Sequence, residues 1–127
     1  MAERSKFSKM APQFVVTNVV KTAEFYRDKL GFKILSYFLD PPVYAMVERD
    51  NVELHFGKAD GDTMQTNEAV RRGLGNDIYI WTEDLDALHK ELIANNVGIV
   101  EGPVKRIYGS TEITIRDCNG FTIVFGD

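Results

Sequence analysis

The sequence predicts an α+β protein built from two copies of one βαβββ unit. Three observations carry this. The order strand, helix, strands occurs twice; matching helix-opening and helix-closing residues stand about 66 positions apart in the two copies; and 127 residues suit one domain rather than two.

The first copy starts with PQFVVT (12–17), whose β-branched and aromatic residues favour a strand. In NVVKTAEFYRDKLGF, residues Val19, Ala23, Tyr26 and Leu30 recur at helical spacing, Asn18 opens the segment and Gly31 stands where a helix-terminating glycine belongs. FKILSYFL (32–39) reads as a strand that DPP breaks, and VYAMVERDNVELHF reads as two strands around an Asp50-Asn51 turn. The second copy repeats this plan. DIYIWT (77–82) is a strand, and residues 84–98 form a helix with Asp84 as N-cap, Leu85, Leu88 and Leu92 on one face, and Gly98 closing it. IVEGPV, TEITIRD and GFTIVFGD supply three more strands, the last two joined by a turn at Cys118-Asn119-Gly120. We therefore expect a single domain over 1–127, with module one at about 10–56, a polar linker with a short helix over 57–76, and module two at about 77–127.

The composition is that of a soluble globular protein, 44% hydrophobic and 27% charged. A net charge of −4 argues against nucleic acid or an anionic membrane as a standing partner. No apolar run has the length of a membrane span, and MAERSKFSKMAPQ lacks a secretory leader's apolar stretch, so the expected setting is the cytoplasm. Cys118 is the sole cysteine, which excludes an internal disulfide and any cysteine-rich zinc site.

Strand parity sorts the candidate functional residues. Glu53 and His55 are two apart and share one face; so do Asp77, Tyr79 and Trp81, while Ile78 and Ile80 turn toward the helices. Gln13, Val15 and Thr17 oppose Phe14 and Val16, and Thr114 and Arg116 oppose Ile113 and Ile115. Phe38, Tyr44 and Met46 are expected at the rim. His89 and the Arg71-Arg72 pair read as solvated side chains, and Cys118 as a turn residue. Phosphate-binding glycine loops, serine-triad signals and zinc-helix motifs are absent.

TNVVKTAEFYRDKLGF, VELHFGK, EDLDAL and IRDCNGFTIVF resemble the vicinal oxygen chelate superfamily of glyoxalases, extradiol dioxygenases and bleomycin-resistance proteins, over about Ala11 to Asp127. The resemblance implies that the modules' strands curl into a mixed-sheet cup. In the superfamily's enzymes that cup holds a divalent metal on four positions. Here those positions fall on Ala11, Glu53, Asp77 and Val124, of which Ala11 and Val124 cannot ligate. Glu53, His55 and Asp77 would formally make a two-carboxylate, one-histidine set if they converged.

The similarity is greatest to the bleomycin-resistance type, which implies a metal-independent homodimer that sequesters an antibiotic or other aromatic or cationic ligand. On this reading the ligand-binding residues are Glu53, His55, Asp77, Tyr79, Trp81 and Arg116, with no cofactor, metal or catalytic residue assigned. The alternative is a metal-dependent lyase, isomerase or oxidoreductase of the glyoxalase or dioxygenase kind. A third reading is a regulatory domain whose cup is filled by its own side chains.

Overall fold

The computed structural model describes residues 2–73 and 75–127. Module one contains β1 (Gln13–Val16), α1 (Val19–Leu30), β2 (Lys33–Phe38), β3 (Tyr44–Arg49) and β4 (Val52–Lys58). A short α2 (Asn67–Val70) lies in the linker. Module two contains β5 (Ile78–Trp81), α3 (Leu85–Ala94), β6 (Ile99–Lys105), β7 (Thr111–Arg116) and β8 (Thr122–Gly126). Each module folds into a four-stranded mixed sheet, ordered β1-β4-β3-β2 in sheet A and β5-β8-β7-β6 in sheet B. In both, the first strand pairs in parallel with the last, and the remaining pairs are antiparallel.

Local chemistry explains the helix limits. The Asn18 side chain accepts from the Lys21 N–H at 3.0 Å, and the Asp84 side chain accepts from the Ala87 N–H at 3.0 Å. Each satisfies one of the donors that a helix start leaves unpaired. Gly31 ends α1 in the left-handed region at φ 71°, as expected. The second helix ends differently: α3 stops at Ala94, Asn95 caps it, and Asn96 takes the left-handed conformation at φ 58°. Gly98 is not among the positive-φ glycines, so it does not close the helix. Asparagine tolerates the left-handed region and does so here two residues earlier. The linker also begins later than expected, because β4 continues through Gly57 and Lys58.

Both predicted helical stripes are buried. Val19, Ala23, Tyr26 and Leu30 of α1 join Leu85, Leu88 and Leu92 of α3 in one core with Phe56, Ile113, Ile115 and Ile123. Burying such side chains stabilises the fold by about 1.5–3 kcal/mol each. The core continues across the joint between modules. Tyr26 donates to Asp117 at 2.7 Å, Asn119 donates to Thr22 at 2.9 Å, and the Phe14 and Phe121 rings stack at 4.7 Å. Arg49 grips Glu91 with two hydrogen bonds, of 2.6 and 2.9 Å. Among the described residues, every side-chain hydrogen bond between modules lies on this helical side. The opposite face of each sheet is left to carry the polar and aromatic residues that parity assigned to it.

Candidate functional site

On the open face of sheet A, Gln13 of β1, Met46 of β3 and His55 of β4 lie in one row across the ladder. Tyr44 and Glu53 flank that row. Four side-chain contacts link the polar members. Gln13 Nε2 donates to the Tyr44 hydroxyl at 3.1 Å, the hydroxyl lies 2.8 Å from His55 Nδ1, His55 Nε2 lies 2.6 Å from Glu53 Oε2, and Lys9 Nζ donates to Glu53 Oε1 at 2.9 Å. For a neutral imidazole only one tautomer pairs every atom: Tyr44 donates to Nδ1, and Nε2 carries the proton toward Glu53. The Lys9 ammonium, and then the His55 ring, hold the Glu53 carboxyl below the usual carboxylate range.

The open face of sheet B is aromatic. Tyr79 and Trp81 stand side by side with ring centroids 4.7 Å apart. The Tyr79 hydroxyl donates to Glu112 Oε2 at 2.7 Å and lies 3.1 Å from Ser110 Oγ. Glu112, only 3% exposed, also accepts from Tyr108 at 2.7 Å and from Arg106 Nε at 3.0 Å. Burial alone would raise its pKa. The three donated hydrogen bonds outweigh that and hold the carboxyl below its ordinary value. Arg106 also pairs with Glu101, and the two carboxylates together push its guanidinium further above its ordinary value. This network fixes the Tyr79 ring directly over Gly126, where an added Cβ would overlap the Tyr79 hydroxyl. Trp81, by contrast, is 74% exposed.

The six residues singled out in the sequence do not form one cluster. Glu53 pairs with His55, and Tyr79 pairs with Trp81. Asp77 is engaged elsewhere: its two oxygens accept the backbone N–H groups of Asn67 at 2.9 Å and Thr122 at 2.8 Å, tying the linker and β8 to the start of β5. Arg116 is exposed and makes no side-chain hydrogen bond or ion pair among the described residues. Sequence reasoning placed Tyr44 only at the rim, gave Gln13 a face without a role, and passed over Lys9, Arg106, Tyr108 and Glu112. Glu112 was within reach, since it continues the alternation of Thr114 and Arg116. Lys9 and Tyr108 lie outside regular strands, where no period reports a facing.

A divalent metal fits this donor set poorly. Ala11 and the buried Val124 offer no donor atom, Asp77 is occupied by backbone N–H groups, and both Glu53 oxygens already have partners. Among the described residues no three His, Cys, Asp or Glu side chains gather into a group able to hold an ion. A cleft of about 520 Å³ lies apart from the Gln13–His55 row of sheet A and from the Tyr79–Glu112 network of sheet B. It runs along the helical joint past Leu30, Phe32, Arg49, Glu91 and Phe125, and of the six singled-out residues only Trp81 reaches its wall.

Residues 11–125 match the family model described as the Glyoxalase/Bleomycin resistance protein/Dioxygenase superfamily. No curated protein sequence matches the chain. Solved structures share its fold at low identity. A bleomycin-binding protein complexed with bleomycin is similar at a TM-score of 0.74 and 16% identity, covering 95% of this chain and 98% of that one. A glyoxalase-related enzyme from Clostridium phytofermentans is similar at 0.75 and 16%, covering 96% and 95%. TnmS3, an antibiotic binding protein from Streptomyces sp. CB03234, is similar at 0.70 and 17%, covering 98% of both chains.

Proposed function

The chain belongs to the Glyoxalase/Bleomycin resistance protein/Dioxygenase superfamily, and from that premise we propose that it is a metal-independent binder of a small aromatic or cationic molecule, an antibiotic among the candidates. The observation that carries the reading is the Tyr79–Trp81 pair. One ring is fixed by Glu112 and Ser110, and its neighbour is left 74% exposed on an open sheet face. Aromatic surface held in place before a ligand arrives loses little entropy on binding, and it offers both stacking and cation–π contact. Glu53 and His55 supply polar contacts, Asp77 positions the strand that carries the rings, and Arg116 borders the same face. The bleomycin-binding and antibiotic-binding proteins among the similar folds support this reading.

The active form in this proposal is a cytoplasmic homodimer. The helical faces of the two modules are already packed against each other within one chain, so each open face is closed by a second copy, with the ligand between them.

Trp81 is the sole tryptophan, so the intrinsic tryptophan emission reports on this site alone. Titration with bleomycin and with planar aromatic antibiotics, in the presence of EDTA, is expected to shift that emission saturably. Trp81→Ala, read by calorimetry, is expected to weaken affinity about tenfold or more, roughly 1.4 kcal/mol. Binding that needs an added divalent metal, or that is unchanged by the substitution, refutes the reading.

A further inference from the structure

Glu53 is the one family metal position here with a competent ligand that is not engaged by backbone, and its oxygens face an imidazole and an ammonium instead of an ion site. The chain it belongs to has its own chemical sense. A nucleophile within hydrogen-bond reach of a base, with the base oriented by a third group, is the geometry of covalent catalysis, and tyrosine is among the side chains that serve as its nucleophile. Here the base is His55, 2.8 Å from the Tyr44 hydroxyl, and the orienting carboxylate is Glu53, 2.6 Å from the far ring nitrogen.

We propose that Tyr44, His55 and Glu53 form a metal-free nucleophilic triad on sheet A, with the Tyr44 phenol oxygen as the attacking atom and an activated acyl ester as the class of electrophile it captures. This inference does not depend on which ligand the aromatic face of sheet B binds.

Each neighbour has a part in the step. The single hydroxyl proton of Tyr44 points to His55, and one lone pair of its oxygen accepts from Gln13, so the other lone pair is available to an electrophile. As the Tyr44 oxygen bonds to the acyl carbon, the phenol proton passes to His55 Nδ1. The ester C–O bond breaks and the leaving group departs with that electron pair. The imidazolium so formed is stabilised by Glu53 through Nε2, in the way a triad carboxylate stabilises its histidine without taking the proton, and it then releases its proton to solvent. Lys9 keeps Glu53 paired on its second oxygen, and the Gln13 amide orients the Tyr44 phenol oxygen for attack. Gly57, opposite Tyr44 in the ladder, leaves room for the Gln13 side chain; a Cβ there would sit 3.3 Å from Gln13 Oε1.

The test uses p-nitrophenyl acetate on the whole protein, with p-nitrophenolate release followed by absorbance and O-acetylation mapped by peptide mass spectrometry. The chain supplies internal controls, because Tyr37 is 38% exposed, Tyr108 is 67% exposed, and neither is set against an imidazole. Simple accessibility ranks those two at least level with the partly buried Tyr44; the triad reverses the order. We expect Tyr44 to acetylate on the order of 10²-fold faster than either, the size of a positioned general base. His55→Gln and Glu53→Gln should each lower that rate toward the level of Tyr37. Tyr44 reacting no faster than Tyr37 and Tyr108, or a rate unmoved in a His55→Gln variant whose circular dichroism matches the parent, overturns the proposal. The ranking in the unaltered protein decides the matter even where a variant fails to fold. Because Trp81 and Tyr79 take no part in this reaction, its failure leaves the ligand-binding reading untouched.

Discussion

Lys29 and Asn95 hydrogen-bond each other's backbone: Lys29 Nζ donates to the Asn95 carbonyl at 3.0 Å, and Asn95 Nδ2 donates to the Lys29 carbonyl at 3.2 Å. Lys29 lies in the last turn of α1 and Asn95 caps α3, so equivalent ends of the duplicated helices terminate on one another. Each satisfies a carbonyl that its partner helix leaves without an internal donor. Asn95→Ala removes one of these bonds and frees a left-handed turn from its anchor. Chemical denaturation should show a loss of about 1 kcal/mol.

The Tyr26–Asp117 bond crosses the same joint in a far drier setting. Tyr26 is fully buried and Asp117 is 7% exposed. Burial, and then the Asp117 charge, push the Tyr26 phenol well above its ordinary value, while burial raises Asp117 against the hydrogen bonds it accepts from Tyr26 and from the Asn119 and Phe121 N–H groups. Tyr26→Phe leaves a buried carboxylate short of one donor and should cost about 2 kcal/mol. Because Asp117 binds its proton more tightly folded than unfolded, its contribution is most favourable at pH below the ordinary aspartate value and is lost as pH rises through the raised one. Asp117→Asn should abolish that dependence in the urea midpoint.

Glu53 has the opposite sign. Its folded pKa is depressed, so its contribution is present above the ordinary glutamate value and lost as pH falls through the folded one. Lys9→Ala removes the larger cause, and the Glu53 carboxyl should titrate closer to its ordinary value in carbon-13 NMR. An unchanged titration would show that Lys9 does not act on Glu53 in solution.

Gly126→Ala places a methyl group where the Tyr79 hydroxyl lies. The ring must swing off Glu112, leaving a nearly buried carboxylate with one donor fewer. We expect a lower melting temperature together with a shifted Trp81 emission spectrum, since the neighbouring ring moves. A melting temperature equal to that of the parent would mean that the Tyr79–Glu112 contact is not maintained.

Periodicity told the truth about facing. The stripe Val19, Ala23, Tyr26 and Leu30, the triplet Leu85, Leu88 and Leu92, and the alternations at Ile113/Ile115 and Tyr79/Trp81 all emerge as read, because burial imposes the 3.6 and 2.0 periods directly on residue choice. Partnership was not legible. Tyr79 meets Glu112 across 33 positions and Glu53 meets Lys9 across 44, and no local pattern encodes which of several same-face polar groups will touch. Asp77 illustrates the limit: parity grouped it with Tyr79 and Trp81, but it stands just before β5, where one backbone N–H from the linker and one from β8 take up its two oxygens. Gly98 illustrates another, since two asparagines before it satisfied the helix end first.

Among the described residues, the side-chain hydrogen bonds between the two halves all lie on their helical backs, and this gives the two sheets freedom to diverge. One sheet carries an imidazole relay and the other a pair of rings on the same eight-strand chassis, and among the described residues no side-chain hydrogen bond joins the two linings. Descendants of such a gene can retool one hollow while inheriting the second intact.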